Sequence, residues 1–573
     1  MSATGVRRAA EAVGEAFAAH GVRHAFGLIG SGNFLVTNAL VGAGVEFLSA
    51  RHEGAAIVMA DAYARVSGEV GVCSVHQGPG LTNATTGLVE AVKSRTPLVV
   101  LAGEMPAGAL RANLKIDQAA LVSSVGAGVD RLRSPATAAA DAARALWRAR
   151  VERRPIVLML PIDVEAQPAP PSAADGPGGA GRPGAETALG AETAPGAAPA
   201  AAPPVPVPAP EAIAALADLC AGARRPAIIA GRGAVLAGAR AALDAVADRL
   251  GALVATSAVA NGFFAGHPRN VGISGGFASP LAQELLPEAD LVLAFGASLN
   301  PWTTRYGRLI ADGATVVQVD RDADALGAYH PADAVVVGDA AGAASALAAE
   351  LQLRGTHLDG FRAEEPRIAA YRRADDPYED AGDDDHIDPR TLSIALDELL
   401  PAERTLAIDS GHFMGWPAMY LRVPDAAGFV FTQAFQSIGL GLGSAIGAAV
   451  ARPDRLTVAA LGDGGAFMAL AEIETAVRAG LPLLVVVYDD AAYGAEVHHF
   501  GPDGEPVDLV QFPDADLAAA ARGLGAEGLT VRAPADLEGV RDWLQRRERP
   551  LVVDAKVVPH ICAEWLEEAF RGG

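Results

Sequence analysis

Apolar runs of strand length alternate with helical patterns along three stretches of this 573-residue chain. The clearest runs lie at residues 97–102, 155–160, 226–231, 290–296, 315–320, 456–460 and 481–488. Nearly continuous apolar strands separated by helices are typical of parallel sheets that are covered on both faces. The pattern therefore predicts an α/β protein built from doubly wound parallel sheets.

Composition divides the chain into blocks. We predict a first domain over 1–165, a central domain over 210–354 and a third domain over 387–573, with the first and third sharing one architecture. Residues 166–209 are almost all Ala, Pro and Gly, which cannot bury a core and predicts a flexible linker. Residues 355–386 are polar and end in an acidic run without the spacing of a calcium loop, which predicts a second, solvated linker.

Charge and cysteine content exclude several classes of protein. The chain has 45 Lys and Arg against 68 Asp and Glu, a net charge of −23, which argues against a nucleic-acid partner. Cys73, Cys220 and Cys562 are far apart and form no CxxC pair, as expected in a reducing cytoplasm. No apolar run reaches the ~18 residues needed to span a membrane, and the amino terminus lacks a signal-peptide core. We therefore expect a cytoplasmic protein with no membrane partner.

The most informative motif lies in the third block. One apolar run ends at Leu461-Gly462-Asp463-Gly464-Gly465, and the next ends at Asp489-Asp490. Turns that follow parallel strands lie at the carboxyl edge of the sheet, where doubly wound folds bind ligands. Two carboxylates beside glycine N–H groups suit a small hard cation that carries a phosphate. The alternative is an acidic turn in an ordinary Rossmann-type domain.

The first block carries three segments of a related kind. They are Gly30-Ser31-Gly32-Asn33, Arg51-His52-Glu53-Gly54-Ala55-Ala56 and His76-Gln77-Gly78-Pro79-Gly80-Leu81-Thr82-Asn83. In order and spacing, these segments and the acidic turns resemble the thiamine diphosphate-dependent enzymes of the acetolactate synthase and pyruvate decarboxylase group. The resemblance covers nearly the whole chain apart from the Ala/Pro-rich segment.

The resemblance implies a cofactor, a metal and an assembly. Thiamine diphosphate would bind with Mg²⁺ between the pyrimidine-binding first domain of one chain and the diphosphate-binding third domain of another. A homodimer is then the minimum unit, and a homotetramer is common. The implied metal ligands are Asp463, Asp490 and the backbone carbonyl of Ala492. Asp489-Asp490 replaces the usual pair of asparagines, and this extra negative charge has no explanation in the sequence.

The resemblance also assigns roles to side chains around the cofactor. Glu53 would be the activating carboxyl: a carboxyl hydrogen-bonded to N1′ drives the imino tautomer that takes the proton from the thiazolium C2. Ile438 would be the bulky wedge that bends the cofactor. The implied cofactor-binding positions are Gly30, Ser31, Gly78, Asn83, Gly411, Ile438, Gly462, Gly464, Gly465, Tyr493 and Gly494.

Candidates for proton transfer lie beyond the cofactor itself. Glu496 matches a glutamate that pyruvate decarboxylases use, where acetolactate synthases usually have an apolar residue. The sulfoacetaldehyde acetyltransferase group shows a similar Gly-Ala-Glu stretch. His76, His412 and His499 are the candidate histidines, each with a structural role as the alternative. Gln118 resembles a glutamine at the mouth of the active site.

The resemblance implies decarboxylation of a small 2-oxo acid, pyruvate by default, followed by protonation or carboligation of the enamine. Thiamine-dependent acyl transfer, CoA-linked decarboxylation and a binding protein without turnover stay open. A nicotinamide dehydrogenase is disfavoured, because no clean GxGxxG follows a first strand. The central block resembles a domain that binds FAD in some family members, and its residues do not place a flavin.

Overall fold

Three six-stranded sheets form the framework of the protein. The computed structural model describes residues 7–170 and 205–571, and every strand pair in it is parallel except at isolated bridges. This confirms the predicted α/β architecture of three doubly wound parallel sheets. Most of the segment predicted as a linker, 166–209, lies outside the described residues. Within the described ranges, no helix is both long and apolar enough to cross a membrane.

The first sheet has the strand order β2-β1-β3-β4-β6-β5. Its strands are His24–Gly27 (β1), Glu46–Ser49 (β2), Gly71–Val75 (β3), Leu98–Glu104 (β4), Gly128–Arg131 (β5) and Pro155–Pro161 (β6). Its helices are Ala9–Ala19 (α1), Phe34–Gly42 (α2), Glu53–Ser67 (α3), Pro79–Asn83 (α4), Thr85–Lys93 (α5), Gln118–Ser124 (α6), Ala138–Glu152 (α7) and Ile162–Glu165 (α8). The inner strands β3 and β4 are buried nearly throughout because helices cover both faces.

The central sheet has a different order, β12-β11-β10-β7-β8-β9. Its strands are Pro226–Ala230 (β7), Leu253–Thr256 (β8), Asn270–Ile273 (β9), Leu291–Phe295 (β10), Thr315–Asp320 (β11) and Ala334–Val337 (β12). Its helices are Pro210–Gly222 (α9), Arg232–Ala237 (α10), Arg240–Leu250 (α11), Pro280–Leu285 (α12), Ala340–Leu353 (α13) and Glu365–Ala370 (α14). Read from β9, the order changes direction between β7 and β10, as in the order 3-2-1-4-5-6 of dinucleotide-binding folds.

The third sheet, β14-β13-β15-β16-β18-β17, repeats the order of the first. Its strands are Arg404–Ile408 (β13), Phe429–Phe431 (β14), Leu456–Gly462 (β15), Leu484–Asp489 (β16), Glu527–Val531 (β17) and Leu551–Lys556 (β18). Its helices are Pro389–Leu399 (α15), Gly415–Tyr420 (α16), Gly441–Ala451 (α17), Asp463–Met468 (α18), Glu472–Arg478 (α19), Gly494–Phe500 (α20), Leu517–Gly523 (α21), Glu538–Arg546 (α22) and Glu564–Arg571 (α23).

The first and third blocks share one hydrophobic core through helices α3 and α17. Buried residues of α3, such as Val58 and Met59, and of α17, such as Ile446, belong to the same cluster. Gly443 and Gly447 of α17 face α3, where an added Cβ would collide with Val58 or with the Met59 backbone. The two helices therefore approach closely because α17 has no side chain at these positions.

Part of the segment predicted as a solvated linker, 355–386, is folded against the central block. Phe361 is fully buried in the cluster that covers one face of the central sheet. The Arg225 guanidinium lies 4.2 Å from the centre of its ring. Ile368 and Tyr371 join Phe361 in this cluster, so a few apolar side chains supply contacts that the average polarity of the segment conceals.

Candidate active site

The backbone of the turn after β15 lies very close to neighbouring side chains. Asp463 is the first residue of α18, directly after the strand, and its side chain is buried. A Cβ on Gly464 would lie 2.5 Å from the Tyr493 ring, and one on Gly465 would overlap the Asp409 carboxylate. Only glycine fits these two positions, which leaves backbone N–H groups beside a carboxylate at the carboxyl edge of the sheet.

The second carboxylate, that of Asp490, lies in the turn after β16. The Asp490 side chain is almost fully buried, and its Oδ2 has no hydrogen-bond partner among the described residues. Its nearest basic neighbour is His412, with Nε2 at 3.5 Å. Ala491 has a left-handed backbone with φ +54°, and Ala492 follows in the cavity wall. An unpartnered buried carboxylate oxygen calls for an explanation, and a bound cation would supply the missing partner.

The local electrostatics also fit a cation. Burial, together with the nearby Asp489 carboxylate, raises the pKa of Asp463 to about 7. Burial, Asp463 and Asp489 together raise the pKa of Asp490 well above its ordinary range. No cluster of three His, Cys, Asp or Glu side chains arranged to hold a metal occurs in the described ranges. Two carboxylates and a backbone carbonyl fit Mg²⁺ when phosphate oxygens complete its coordination.

A cavity of about 1180 Å³ opens in front of these turns. Most of the third-block positions implied for cofactor, metal and proton transfer line this cavity: Gly411, His412, Ile438, Gly462, Asp463, Gly464, Gly465, Asp490, Ala492, Tyr493, Gly494 and Glu496. His499 does not line it. The His499 ring stacks on Phe570 of α23 with centroids 4.3 Å apart, and Phe570 lines the cavity instead of His499.

His412 is a neutral imidazole at ordinary pH. It is buried in the short turn His412–Met414, and desolvation lowers its pKa to about 3, with His498 as a smaller cause. The two histidine rings lie 5.0 Å apart. Glu496, in contrast, is exposed and faces the cavity from α20. His412 and Glu496 thus offer one group that stays neutral and one carboxyl that is open to solvent.

Asp409 is a site residue that the sequence reasoning passed over. Its buried carboxylate accepts hydrogen bonds from the backbone N–H groups of Gly439 at 2.8 Å and Leu440 at 3.1 Å. It therefore anchors the segment that carries Ile438 into the cavity. Burial raises the pKa of Asp409 to about 6 despite these bonds. The available signal was an acidic residue directly after the short apolar segment 406–408, which forms the end of β13.

The first block gathers its own group of predicted residues around Glu53. Glu53 is the first residue of α3, is 6% exposed, and accepts a hydrogen bond from Asn83 Nδ2 at 3.0 Å. His76 accepts at Nδ1 from the Gly32 N–H at 3.1 Å, and the backbone of Gly30 passes close to its ring. Ser31, between these two glycines, is exposed.

Gln118 supports a turn of the first block. The resemblance implies a position at the mouth of the active site, and in the single chain the residue is 4% exposed and bonded to Gly78, one of the implied cofactor-binding positions. Its Oε1 accepts from the Gly78 N–H at 2.7 Å and its Nε2 donates to the Gly103 carbonyl at 2.9 Å. Gly78 has a φ of +64°. Gln118 therefore holds the Gly-Pro-Gly turn from behind, because a buried amide must satisfy its donors and acceptors locally.

The two groups of residues do not meet in one cavity within the described chain. Neither Glu53 nor His76 lines the cavity that contains Asp463. Glu472, at the start of α19, connects the blocks instead. Its buried carboxylate accepts from the backbone N–H groups of Arg51 at 3.0 Å and His52 at 2.9 Å, immediately before Glu53. Sequence reasoning missed this residue, because nothing local distinguishes it from an ordinary helical glutamate.

The three doubly wound sheets define a three-domain α/β protein. Glycine-containing turns follow β3 and β15, and the turns after β15 and β16 also carry buried carboxylates. Family models for thiamine pyrophosphate (thiamine diphosphate) enzymes match all three blocks. The N-terminal TPP binding domain matches residues 7–121, the central domain 213–347 and the C-terminal TPP binding domain 409–555.

Known proteins resemble the chain along its length. It is 30% identical, over 97% of its length and 94% of the relative, to the probable 2-ketoarginine decarboxylase AruI of Pseudomonas aeruginosa. It is 28% identical, over 98% and 94%, to a sulfoacetaldehyde acetyltransferase of Castellaniella defragrans. It is 27% identical, over 99% and 94%, to a probable acetolactate synthase large subunit of Methanocaldococcus jannaschii.

The fold is also that of a solved structure, the thiamine diphosphate-dependent 4-hydroxybenzoylformate decarboxylase of Rhodococcus jostii RHA1. The TM-score is 0.74 and the identity 20%, over 96% of this chain and 99% of that chain. The chain therefore belongs to the thiamine pyrophosphate enzyme family, which confirms the resemblance. It is a thiamine diphosphate-dependent enzyme related to decarboxylases, acetyltransferases and acetolactate synthases.

Proposed function

We propose that the enzyme decarboxylates a small 2-oxo acid, with pyruvate as the default, using thiamine diphosphate and Mg²⁺. The product is released as an aldehyde or joined to a second carbonyl compound. The buried, unpartnered carboxylate oxygen of Asp490 beside Asp463 carries this proposal, since it supports a cation at the family's diphosphate-binding edge. Bound thiamine diphosphate supplies the electron sink that lets a 2-oxo acid lose CO₂.

The residues of the third block have separate tasks in this proposal. Asp463, Asp490 and the Ala492 carbonyl hold Mg²⁺, which anchors the diphosphate. The glycines of the β15 turn allow phosphate to approach backbone N–H groups. Ile438 lies in the same cavity wall and keeps the cofactor bent. The stiffness of a β-branched side chain suits that task.

Proton handling falls to residues of different character. Glu53 offers a buried carboxyl group whose orientation is fixed by Asn83. Glu496 is exposed and faces the cavity, where it is placed to act on a bound substrate. His412 stays neutral and acts as a hydrogen-bonding partner rather than as a cation. His76 remains a candidate, while the packing of His499 on Phe570 favours a role in shaping the pocket.

The proposal requires a second copy of the chain. Glu53 and the cavity with Asp463 are separate in one chain, so one complete site needs Glu53 from another. A homodimer is the minimum assembly, and a homotetramer is the form that we propose. The apolar side chains Phe34, Leu110, Phe467 and Met468 are exposed in the single chain and are available for such contacts.

Acyl transfer is the second candidate function. The relative named sulfoacetaldehyde acetyltransferase is similar over nearly the whole chain. The cavity that contains Asp463 is also lined by basic residues that would attract an anionic acceptor such as phosphate. These are Lys93, Arg95, Arg153, Arg232 and Arg321.

The deciding experiment measures CO₂ release from a panel of 2-oxo acids with thiamine diphosphate and Mg²⁺. Wild type is compared with Glu53→Gln, and acyl phosphate formation is assayed with inorganic phosphate. Turnover that the variant loses would support decarboxylation, and the product would distinguish aldehyde from carboligation. Acyl phosphate formation from a substrate that releases no CO₂ would replace this function by acyl transfer.

A further inference from the structure

The environment of Asp489 explains how a second carboxylate fits beside Asp490. β16 ends at Asp489, which pairs in register with Lys556 at the end of β18. Lys556 Nζ donates to Asp489 Oδ2 at 2.6 Å, and the two side chains are only 6% and 3% exposed. Lys556 Nζ also lies 2.6 Å from Asp514 Oδ1 and 3.1 Å from the buried Asp554 Oδ2. Asp489 therefore shares its cation with two further carboxylates, and this cluster lies behind the cavity that Asp490 lines.

The second oxygen of Asp489 acts on the backbone of the turn. Its Oδ1 accepts from the Ala491 N–H at 2.9 Å. Ala491 adopts φ +54°, a left-handed conformation that residues other than Gly, Asn and Asp rarely take. The Ala491 carbonyl accepts from the Phe512 N–H at 2.8 Å. Two hydrogen bonds thus hold an alanine in a conformation that it would not choose by itself.

The residues on either side of Ala491 are the two that need a defined orientation. Asp490 and Ala492 both line the cavity, whereas Asp489 does not. Rotation of the backbone at Ala491 changes the relation between the Asp490 side chain and the Ala492 carbonyl. The hydrogen bond from Ala491 to Asp489 therefore controls whether these two oxygens can reach one cation.

We propose that Asp489 is a positioning residue for the metal turn rather than a metal ligand. Held by Lys556, its carboxylate keeps Ala491 left-handed and so presents Asp490 and Ala492 together. This inference rests on the proposed Mg²⁺ site. It accounts for an aspartate where the family usually has asparagine, because either side chain offers an oxygen to the Ala491 N–H while Lys556 compensates the added charge.

Binding of Mn²⁺ in the presence of thiamine diphosphate, measured on the full chain from the electron paramagnetic resonance signal of free Mn²⁺, tests the proposal. Asp489→Ala removes the acceptor, and we expect Mn²⁺ affinity to fall about 10- to 100-fold, as for other residues that orient metal ligands. Asp489→Asn keeps an acceptor, and we expect an affinity within about threefold of wild type. An Asn variant as weak as the Ala variant would overturn the proposal.

A second substitution separates positioning from ligation. Glycine adopts a left-handed φ without strain, so Ala491→Gly added to Asp489→Ala should restore most of the lost affinity. A direct ligand could not be replaced in this way, and a double variant without recovery would overturn the proposal.

Asp514→Ala is the matched control. Asp514 Oδ1 accepts from Lys556 Nζ at 2.6 Å, as Asp489 does, but its side chain is 61% exposed. We expect this variant to keep wild-type Mn²⁺ affinity, and an equal loss in Asp514→Ala and Asp489→Ala would overturn the assigned role. If wild type itself binds no Mn²⁺ with thiamine diphosphate, the proposed metal site fails, and this inference fails with it.

Discussion

The first and third sheets have the same strand order and carry opposite kinds of chemistry. In each sheet, the third strand of the block is followed by a glycine-containing turn and a short helix. After β3 the turn is Gly78-Pro79-Gly80, held by the uncharged Gln118. After β15 it is Asp463-Gly464-Gly465, beside further carboxylates. One architecture thus supports a group with a single acid, Glu53, and a group with several.

The comparison shows two ways in which a buried carboxyl group is stabilised at the carboxyl edge of a sheet. Glu53 is a lone buried carboxyl whose hydrogen bond comes from the neutral amide of Asn83. In the third block, Lys556 compensates Asp489, while Asp490 keeps an unpartnered oxygen. Burying several like charges is costly unless cations accompany them. The carboxylates around Asp463 thus have Lys556 as a built-in cation and leave an oxygen of Asp490 for the proposed metal ion, whereas Glu53 has only a neutral partner.

The largest expected effects are the loss of turnover in the first block and the loss of cofactor binding in the third. Glu53→Gln should lower turnover about 10²- to 10⁴-fold while thiamine diphosphate still binds, since general acid–base groups contribute on this scale. Asp463→Asn should instead weaken Mg²⁺-dependent cofactor binding. Cofactor titration by tryptophan fluorescence, with and without Mg²⁺, alongside CO₂ release, would check this. Loss of cofactor binding in both variants would contradict the division of tasks.

Asp409 should make the third block sensitive to pH. Its pKa of about 6, raised by burial from 3.8, means that the folded protein binds its proton more tightly than the unfolded chain does. Its contribution to stability therefore falls by about 3 kcal/mol as the pH rises from about 4 to above 6, at 1.4 kcal/mol per pKa unit. Asp409→Asn should lose this part of the pH dependence.

The measurement for Asp409 is thermal unfolding at a series of pH values. Only the difference in pH dependence between wild type and variant matters, because the amide also alters the hydrogen bonds to Gly439 and Leu440. The exposed Asp384, changed to Asn, serves as the control and should follow wild type. Parallel curves for wild type and Asp409→Asn would refute the expectation.

The contact between the two blocks depends on Gly447. A Cβ at this position would collide with the Met59 backbone of α3, which cannot move aside as a side chain could. Gly447→Ala should therefore lower the free energy of unfolding by on the order of 1–3 kcal/mol. Gly222→Ala, in the open at the end of α9, should instead stabilise slightly, by less than about 1 kcal/mol. Urea unfolding of both variants would show whether the signs differ.

The smallest expected effects come from comparing substitutions of Glu472 and Glu474, which lie two residues apart on α19. The buried Glu472 receives backbone N–H bonds from the residues before Glu53, and Glu472→Gln should cost about 1–2 kcal/mol and reduce turnover. Glu474 pairs with the half-exposed Arg51 side chain, and Glu474→Gln should change stability by less than about 0.5 kcal/mol. Equal effects in thermal unfolding and CO₂ release would show that burial at Glu472 has no special role.

Much of the fold could be predicted from the sequence. Each apolar run singled out as a strand overlaps a strand of the structure, including β4, β6, β7, β10, β11, β15 and β16. These strands are buried on both faces, so their apolar runs are continuous and easy to recognise. Short strands with mixed polarity, such as β2 and β17, gave no comparable signal.

The site was predictable where chemistry is local in sequence. Asp463, Asp490 and the neighbouring glycines lie in the two turns that follow β15 and β16, and they line one cavity. The contacts of Gln118, Glu472 and Asp409 could not be predicted, because their partners lie far along the chain. Each of these side chains is buried, and a polar group removed from water must find a partner wherever the fold provides one.

The sequence by itself determined the alternation of strands and helices, the three blocks, and the residue types offered at each turn, because these follow from local periodicity and short motifs. The tertiary structure alone decided that Lys556 pairs with Asp489. It also decided that Glu472 reaches the turn before Glu53, and that Glu53 stands apart from the cavity with Asp463. Charge compensation and burial depend on distances in space, and the sequence does not contain those distances.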